Sequence, residues 1–202
     1  MLLIDYQYFG NICFLEVLHQ QKQVIFDEAA FHTKRSFKNR MVILSAQGPL
    51  HLSIPLVGGR DQKTAIKDIR IAYDTPWLAQ HYKAIKTCYK RAPYFEYYEK
   101  DIENIYAKKN EFLIDFLNSC HDFVKKAVKG KWEILPWEKK YLDSSNTIKL
   151  LSPWQPNNFS TFPVKNRYQQ VFTTPSGFMD NLCILDWLFC VGGKEISKQW
   201  ID

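Results

Sequence analysis

The order of apolar and polar positions divides the chain into segments of different period. Leu2–Ile4 is a short apolar run that predicts a first strand. Residues 8–18 are apolar almost all round, and their length and the lone Glu16 predict a largely buried helix. Residues 24–27 (VIFD) predict a second strand. Strand, helix and strand imply a βαβ unit with parallel pairing and a right-handed crossover. The Asp27 carboxylate then stands at the C-terminal edge of the sheet, where open α/β sheets collect ligands. Residues 41–46 are rich in strand formers, and Gln47-Gly48-Pro49 signals a turn. Leu50, Leu52, Ile54 and Leu56 then alternate with His51, Ser53 and Pro55, a hairpin with one buried face. Residues 68–73 (DIRIAY) alternate again and predict a further strand.

The middle of the chain changes to helical spacing. Asp74/Thr75 before Pro76 opens a helix with the stripe Trp77, His81, Ile85 and Cys88. A second helix starts at Pro93 and carries Phe95, Tyr98, Ile102 and Ile105. Asn110 caps a third, with Leu113, Phe116/Leu117, Cys120, Phe123/Val124 and Ala127, ending near Gly130. Residues 132–135 read as a short strand. From 136 to 167 the period is lost among four prolines and the aromatics Trp137, Trp154, Phe159 and Phe162. This long Pro/aromatic loop is expected to dock on the body, either as a lid near a site or as a static strap over a sheet edge. Residues 168–172 (YQQVF) predict a strand. Asp180 or Asn181 caps a C-terminal helix that Gly192-Gly193 ends. The expected architecture is α/β (or α+β) in one domain, 1–202. It has a mixed sheet with an N-terminal βαβ unit, three central helices and a C-terminal helix.

Composition narrows the function. With 46% hydrophobic and 15% aromatic residues the 202-residue chain is not disordered. No apolar run reaches the ~18 residues that span a bilayer, and the opening MLLIDYQYFG lacks the basic start of a secretory signal. Five cysteines, odd in number, far apart and without a Cys-x-x-Cys pair, predict buried free thiols in a reducing cytoplasm. The net charge of +6 permits an anionic partner without demanding one. No histidine pair stands at metal spacing, and no phosphate loop, dinucleotide fingerprint or nucleophile elbow is present. The sequence names no metal and no cofactor.

The strongest local signal is FHTKRSFKNR at 31–40, four basic residues and two aromatics without an acid, between two predicted strands. Arginine offers a planar fork and lysine a point charge for phosphate or carboxylate. Lys34, Arg35, Asn39 and Arg40 are the candidate ligand-holding residues. The alternatives are a solvated basic loop and, from the same basic and aromatic composition, nucleic-acid binding. One short patch is thin support for nucleic acid. His81 lies on an apolar helix stripe, which suits a hydrogen-bonded core residue as well as a general base.

These segments together resemble the WbqC-like protein family. The resemblance is carried by KRSFKNR at 34–40, LHLSIPL at 50–56, the run from DIRIAYDTPW at 68 to YEKD at 101, and YQQVFTTPSGFMDNLCILDWLFCVGG at 168–193. The opening DYQYFGN departs from the family in lacking prolines, and Cys183 stands where a serine is usual. The resemblance implies a protein of O-antigen or other surface-polysaccharide biosynthesis. It suggests a transferase that moves glycine or another small acyl group to a sugar carried by nucleotide or lipid diphosphate. In that reading Lys34, Arg35, Asn39 and Arg40, with Tyr168, hold the substrate, and His81 or Asp27 is the general base. The alternative is a non-catalytic binding protein for an anionic glycan, nucleotide or nucleic acid.

Overall fold

The computed structural model describes residues 1–33, 35–59, 63–142, 145–150, 152–175 and 177–200. Its centre is a four-stranded parallel sheet in the order β5-β2-β1-β6. β1 is Leu2–Ile4 and β2 is Gln23–Phe26, paired in the register Leu2↔Val24, Leu3↔Ile25 and Ile4↔Phe26. All three β1 residues are buried, as expected of an inner strand covered on both faces. β5 (Glu133–Ile134) joins the outer side of β2, and β6 (Ile148–Leu150) pairs with the free side of β1. The chain therefore builds outward from β1 to β2 and β5, then crosses to the opposite flank. The strand order reverses between β1 and β6.

The βαβ crossover is made by α1, Ile12–His19. It starts later than the apolar run implies because Phe9 and Gly10 adopt φ values of +57° and +86°, outside any helix. The side chain of Asn11 caps the helix by accepting from Phe14 N–H at 2.8 Å. Parallel and antiparallel ladders fall in separate sheets. β3 (Arg40–Ser45) and β4 (Gly48–Ser53) form a hairpin of their own, with Ser45 opposite Gly48 and Gly48 at φ +104°.

The three central helices are α2 (Trp77–Tyr89), α3 (Phe95–Ala107) and α4 (Leu113–Ala127), each burying most of the stripe its spacing predicts; at the end of α3 Tyr106 is buried where Ile105 was expected, and Ile105 and Ala127 are half-buried. Phe9, Trp77, Tyr106, Phe116 and Phe123 meet around Tyr8 in the core, mostly edge-to-face or tilted. α5 (Ile184–Val191) enters between β3 and the start of α1, where Cys183 N–H donates to Val42 O and Ile184 N–H to Gly10 O. Gly192, at φ +83°, separates it from α6 (Gly193–Gln199).

Four local expectations are corrected. Asn110 does not cap α4, which begins at Leu113 behind Phe112 with no side-chain cap. Residues 68–73 form no strand. A 3-10 turn at Ile66–Asp68 leads into single bridges, Leu56 with Ile71 and Arg70 with Phe112, because the segment divides its backbone bonds between two loops. Residues 168–172 are irregular, since Gln170 bonds the Met179 backbone through both ends of its amide instead of joining a ladder. Asn181 does not cap α5, which begins after Cys183; its side-chain oxygen accepts from Cys13 N–H of α1 at 2.8 Å. Within 136–167, β6 completes the parallel sheet, and Trp154, Phe159 and Val164 are buried.

Candidate functional site

In open parallel sheets the crevice at the carboxyl ends of the strands where the order reverses is the usual ligand position. Here that crevice lies between the exits of β1 and β6. Asp5, Tyr6 and Gln7 leave β1, Ser152, Trp154 and Gln155 follow β6, and the basic loop closes the third side with Thr33 and residues 35–38. Its volume is about 60 Å³, room for one small anionic group rather than a whole nucleotide.

The loop is held in place by its own hydrophobic and cationic members. Phe37 is buried, and its carbonyl accepts from Tyr8 N–H at 2.9 Å. Lys38 is also buried. Its ammonium donates to Phe31 O at 3.1 Å and pairs with Asp5 at 3.2 Å, so this charge is spent on the fold. Arg35 differs. It is exposed, lines the crevice, adopts φ +57°, and makes no hydrogen bond or ion pair with any described residue. Beside it the Ser36 hydroxyl is buried without a partner. A free guanidinium and an unpaired hydroxyl donor on one small polar crevice suit a phosphate or carboxylate.

The other sequence-derived candidates spread along β3. Asn39 binds the loop to the end of β4: its Nδ2 donates to Ile54 O at 2.9 Å, and its Oδ1 faces His32 Nε2 at 3.4 Å. Arg40 Nε donates to Ser53 Oγ at 2.9 Å. His81 meets the same residue from below through the Ser53 backbone, so Arg40 and His81 converge on Ser53. Nδ1 of His81 faces the Tyr8 hydroxyl at 3.0 Å. That hydroxyl in turn bonds Tyr106 Oη. Burial pushes the His81 pKa down to about 4, which keeps the ring neutral near pH 7.

Asp27 follows β2 at the carboxyl edge, as its position in the sequence implies. It is buried, accepts from Ala29 N–H at 3.1 Å, and is reached across β1 by Lys149 of β6 at 3.4 Å. Tyr168 lies elsewhere. Its hydroxyl donates to Asp186 Oδ2 at 2.5 Å, and Asp186 Oδ1 accepts from Tyr89 Oη, which also receives Leu44 N–H. Leu44 is four residues from Arg40 along β3, a separation of about 13 Å. The wholly buried Asp186 has only neutral donors around it, and burial raises its carboxyl. Lys34 lies outside the described residues. The serine of the basic loop, Ser36, was legible in the sequence; Asp5, Gln7 and Ser152 were not, because only the pairing of β1 with β6 brings them together and no local pattern encodes it.

The N-terminus of α1, the ordinary anion site of such a fold, is closed. Asn11, Asn181 and the Leu182 carbonyl take up its Phe14, Cys13 and Ile12 N–H groups. Among the described residues no three His, Cys, Asp or Glu side chains could hold a metal ion, and no helix is long and apolar enough to cross a membrane.

Fold and crevice together define an open parallel α/β protein with a polar pocket at its switch point. The family model described as the WbqC-like protein family matches residues 7–155, the greater part of the chain, and the chain belongs to this family. The matched span holds the basic loop, β3, His81 and the crevice except Asp5 and Tyr6, and stops before Tyr168 and Asp186. No curated protein and no solved structure matches it.

Proposed function

We propose that the protein is a cytoplasmic transferase of O-antigen or related surface-polysaccharide assembly, acting on a nucleotide- or lipid-linked sugar. The observation that carries the reading is the Arg35 guanidinium, unpaired among the described residues, beside the unpartnered Ser36 hydroxyl in the switch-point crevice. Arg35 and Lys34 hold the phosphate or carboxylate, Asn39 and Arg40 fix the loop and the hairpin that present them, and the sugar extends over the open rim. Tyr168 enters as a more distant substrate contact. Of the two candidate bases, Asp27 stands at the same sheet edge as the crevice, whereas His81 can take a proton only after Tyr8 releases its Nδ1. The transferred group is glycine or another small acyl group, as family membership suggests. Free thiols at all five cysteines support a reducing site of action.

The engaged ring of His81 favours a second reading, a binding protein for an anionic ligand without catalysis. Titration calorimetry with inorganic pyrophosphate and a nucleoside-diphosphate sugar tests the site. Arg35→Ala is expected to weaken binding about tenfold or more, the worth of one charge-assisted hydrogen-bonded contact. Asp27→Asn separates the readings: an enzyme keeps binding and loses acyl transfer from an activated glycine donor. Wild-type protein that binds and shows no transfer supports the binding protein. Unchanged affinity in Arg35→Ala would overturn the site for both.

A further inference from the structure

A larger cavity, about 530 Å³, opens between the start of α3, the end of α4 and the junction of α5 with α6. This is an ordinary size for a small-ligand pocket. Residues 128–132 lead from α4 into the start of β5, so the cavity lies toward the amino edge of the parallel sheet, away from the crevice.

One wall is aromatic. Tyr97 is 80% exposed and Tyr94 40%, and Tyr98 meets Tyr97 edge-on with ring centroids 4.9 Å apart. An isolated exposed ring is unremarkable, but two beside one cavity present faces on which another ring can stack. The wall is held rigid. Tyr98 Oη accepts from Gly193 N–H at 3.0 Å, and Tyr94 N–H donates to Phe189 O at 2.9 Å. The Tyr94 ring lies so close over Gly192 that a Cβ there would come within 2.8 Å of it. The facing wall is cationic. Lys126 pairs loosely with Asp101 at 3.8 Å, and Glu195 is turned to Lys198 at 2.8 Å. The ammonium groups of Lys129 and Lys194 have no partner among the described residues.

We propose that this cleft is a second ligand site, for a ring that carries an anionic group: a nucleoside phosphate or a sugar phosphate. The ring lies on Tyr97 and the phosphate between Lys129 and Lys194. Stacking on tyrosine tolerates either kind of ring, and two unpaired cations select the phosphorylated form over the neutral one. The site shares no residue with the crevice and stands whether or not the crevice serves a transferase.

Titration of the whole protein with UMP, glucose 1-phosphate, uridine and inorganic phosphate, followed by calorimetry at low salt, tests it. At least one of the two phosphorylated rings is expected to bind saturably, and the stronger of the pair identifies the ring. Tyr97→Ala should weaken that binding about tenfold, the scale of one lost stacking contact. Lys129→Ala with Lys194→Ala should weaken it further and flatten its salt dependence, and the same losses are expected in an Arg35→Ala background, in which the crevice no longer contributes. Tyr97 is so exposed that its removal leaves the fold intact, which thermal unfolding checks. Three results in the Arg35→Ala background would each overturn the proposal: no saturable binding of either phosphorylated ring at millimolar concentration, equal affinity for inorganic phosphate or uridine, or binding that Tyr97→Ala leaves unchanged.

Discussion

Arg35 holds a left-handed backbone conformation that costs a non-glycine residue about 1 kcal/mol, and its side chain makes no hydrogen bond or ion pair with any described residue. Arg35→Gly is therefore expected to stabilise the protein by about 1 kcal/mol while weakening pyrophosphate binding. Urea unfolding read beside calorimetry checks both halves, and stabilisation with unchanged binding would remove Arg35 from the site. His81 and His121 make a second residue-scale prediction. Burial lowers both pKa values to about 4 from 6.5, so both rings are neutral in the folded protein while the unfolded chain takes up their protons below about pH 6.5. The unfolded state then binds more protons between pH 6.5 and 4, and stability falls as the pH drops through that window. A shift of this size is worth about 3 kcal/mol per ring at its limit. The raised carboxyl of Asp186 acts in the opposite direction, so the histidine share is read by difference. His121→Phe, whose ring would stay among Tyr6, Phe14 and Phe26, should lose less stability between pH 7 and 4.5 than the wild type. At this scale the sequence shows that the loop is basic. It cannot show that Lys38 is committed to Asp5 while Arg35 is free, because that depends on a partner across the fold.

Elements were legible where a period ran long enough to define a face. α2, α3 and α4 each carry a stripe over 13 or 15 residues, and the buried positions follow it except at the end of α3, where Tyr106 replaces Ile105. The hairpin was legible from its turn and alternation. β6 was not: three residues, two of them exposed, have no period, and their partner is β1 at the other end of a long separation. The strand expected at 168–172 failed for the converse reason, since its alternating side chains bond Asp186 and Met179 and no neighbouring strand is there to pair with. These contrasts make β6 a strap along β1, with the residues just beyond it lining the crevice. In hydrogen exchange the ladder amides of β1 and β6 are expected to be protected without ligand. Residues 152–155 should gain protection only when pyrophosphate is present. Protection of 148–150 that appears only with ligand would make β6 itself the moving part. At the α5–α6 junction a Cβ on Gly193 would collide with the Ala127 carbonyl, so Gly193→Ala should destabilise by about 2 kcal/mol, measured by urea unfolding.

At the scale of the whole molecule, the crevice at the carboxyl edge and the tyrosine cleft toward the amino edge spread unpaired cations over two ends of a chain of net charge +6. Raising salt should weaken phosphate binding at both, each in proportion to its own unpaired cations. The closure of α1 bears on a different matter, the order in which the protein is made. The N–H groups of Cys13 and Ile12 wait for Asn181 and Leu182, which lie beyond the family-matched span. At ordinary translation speeds of about 5–20 residues per second, roughly 10–30 s pass between synthesis of β2 and arrival of those two residues. During that interval the βαβ unit has a helix without its lock and, until β6 is made, a β1 edge without its neighbour. A ribosome-bound chain halted at residue 155 should accordingly be cut by protease within its first thirty residues, whereas the released full chain should resist. The bond from Cys13 N–H to Asn181 thus acts as a late-arriving latch on the first helix.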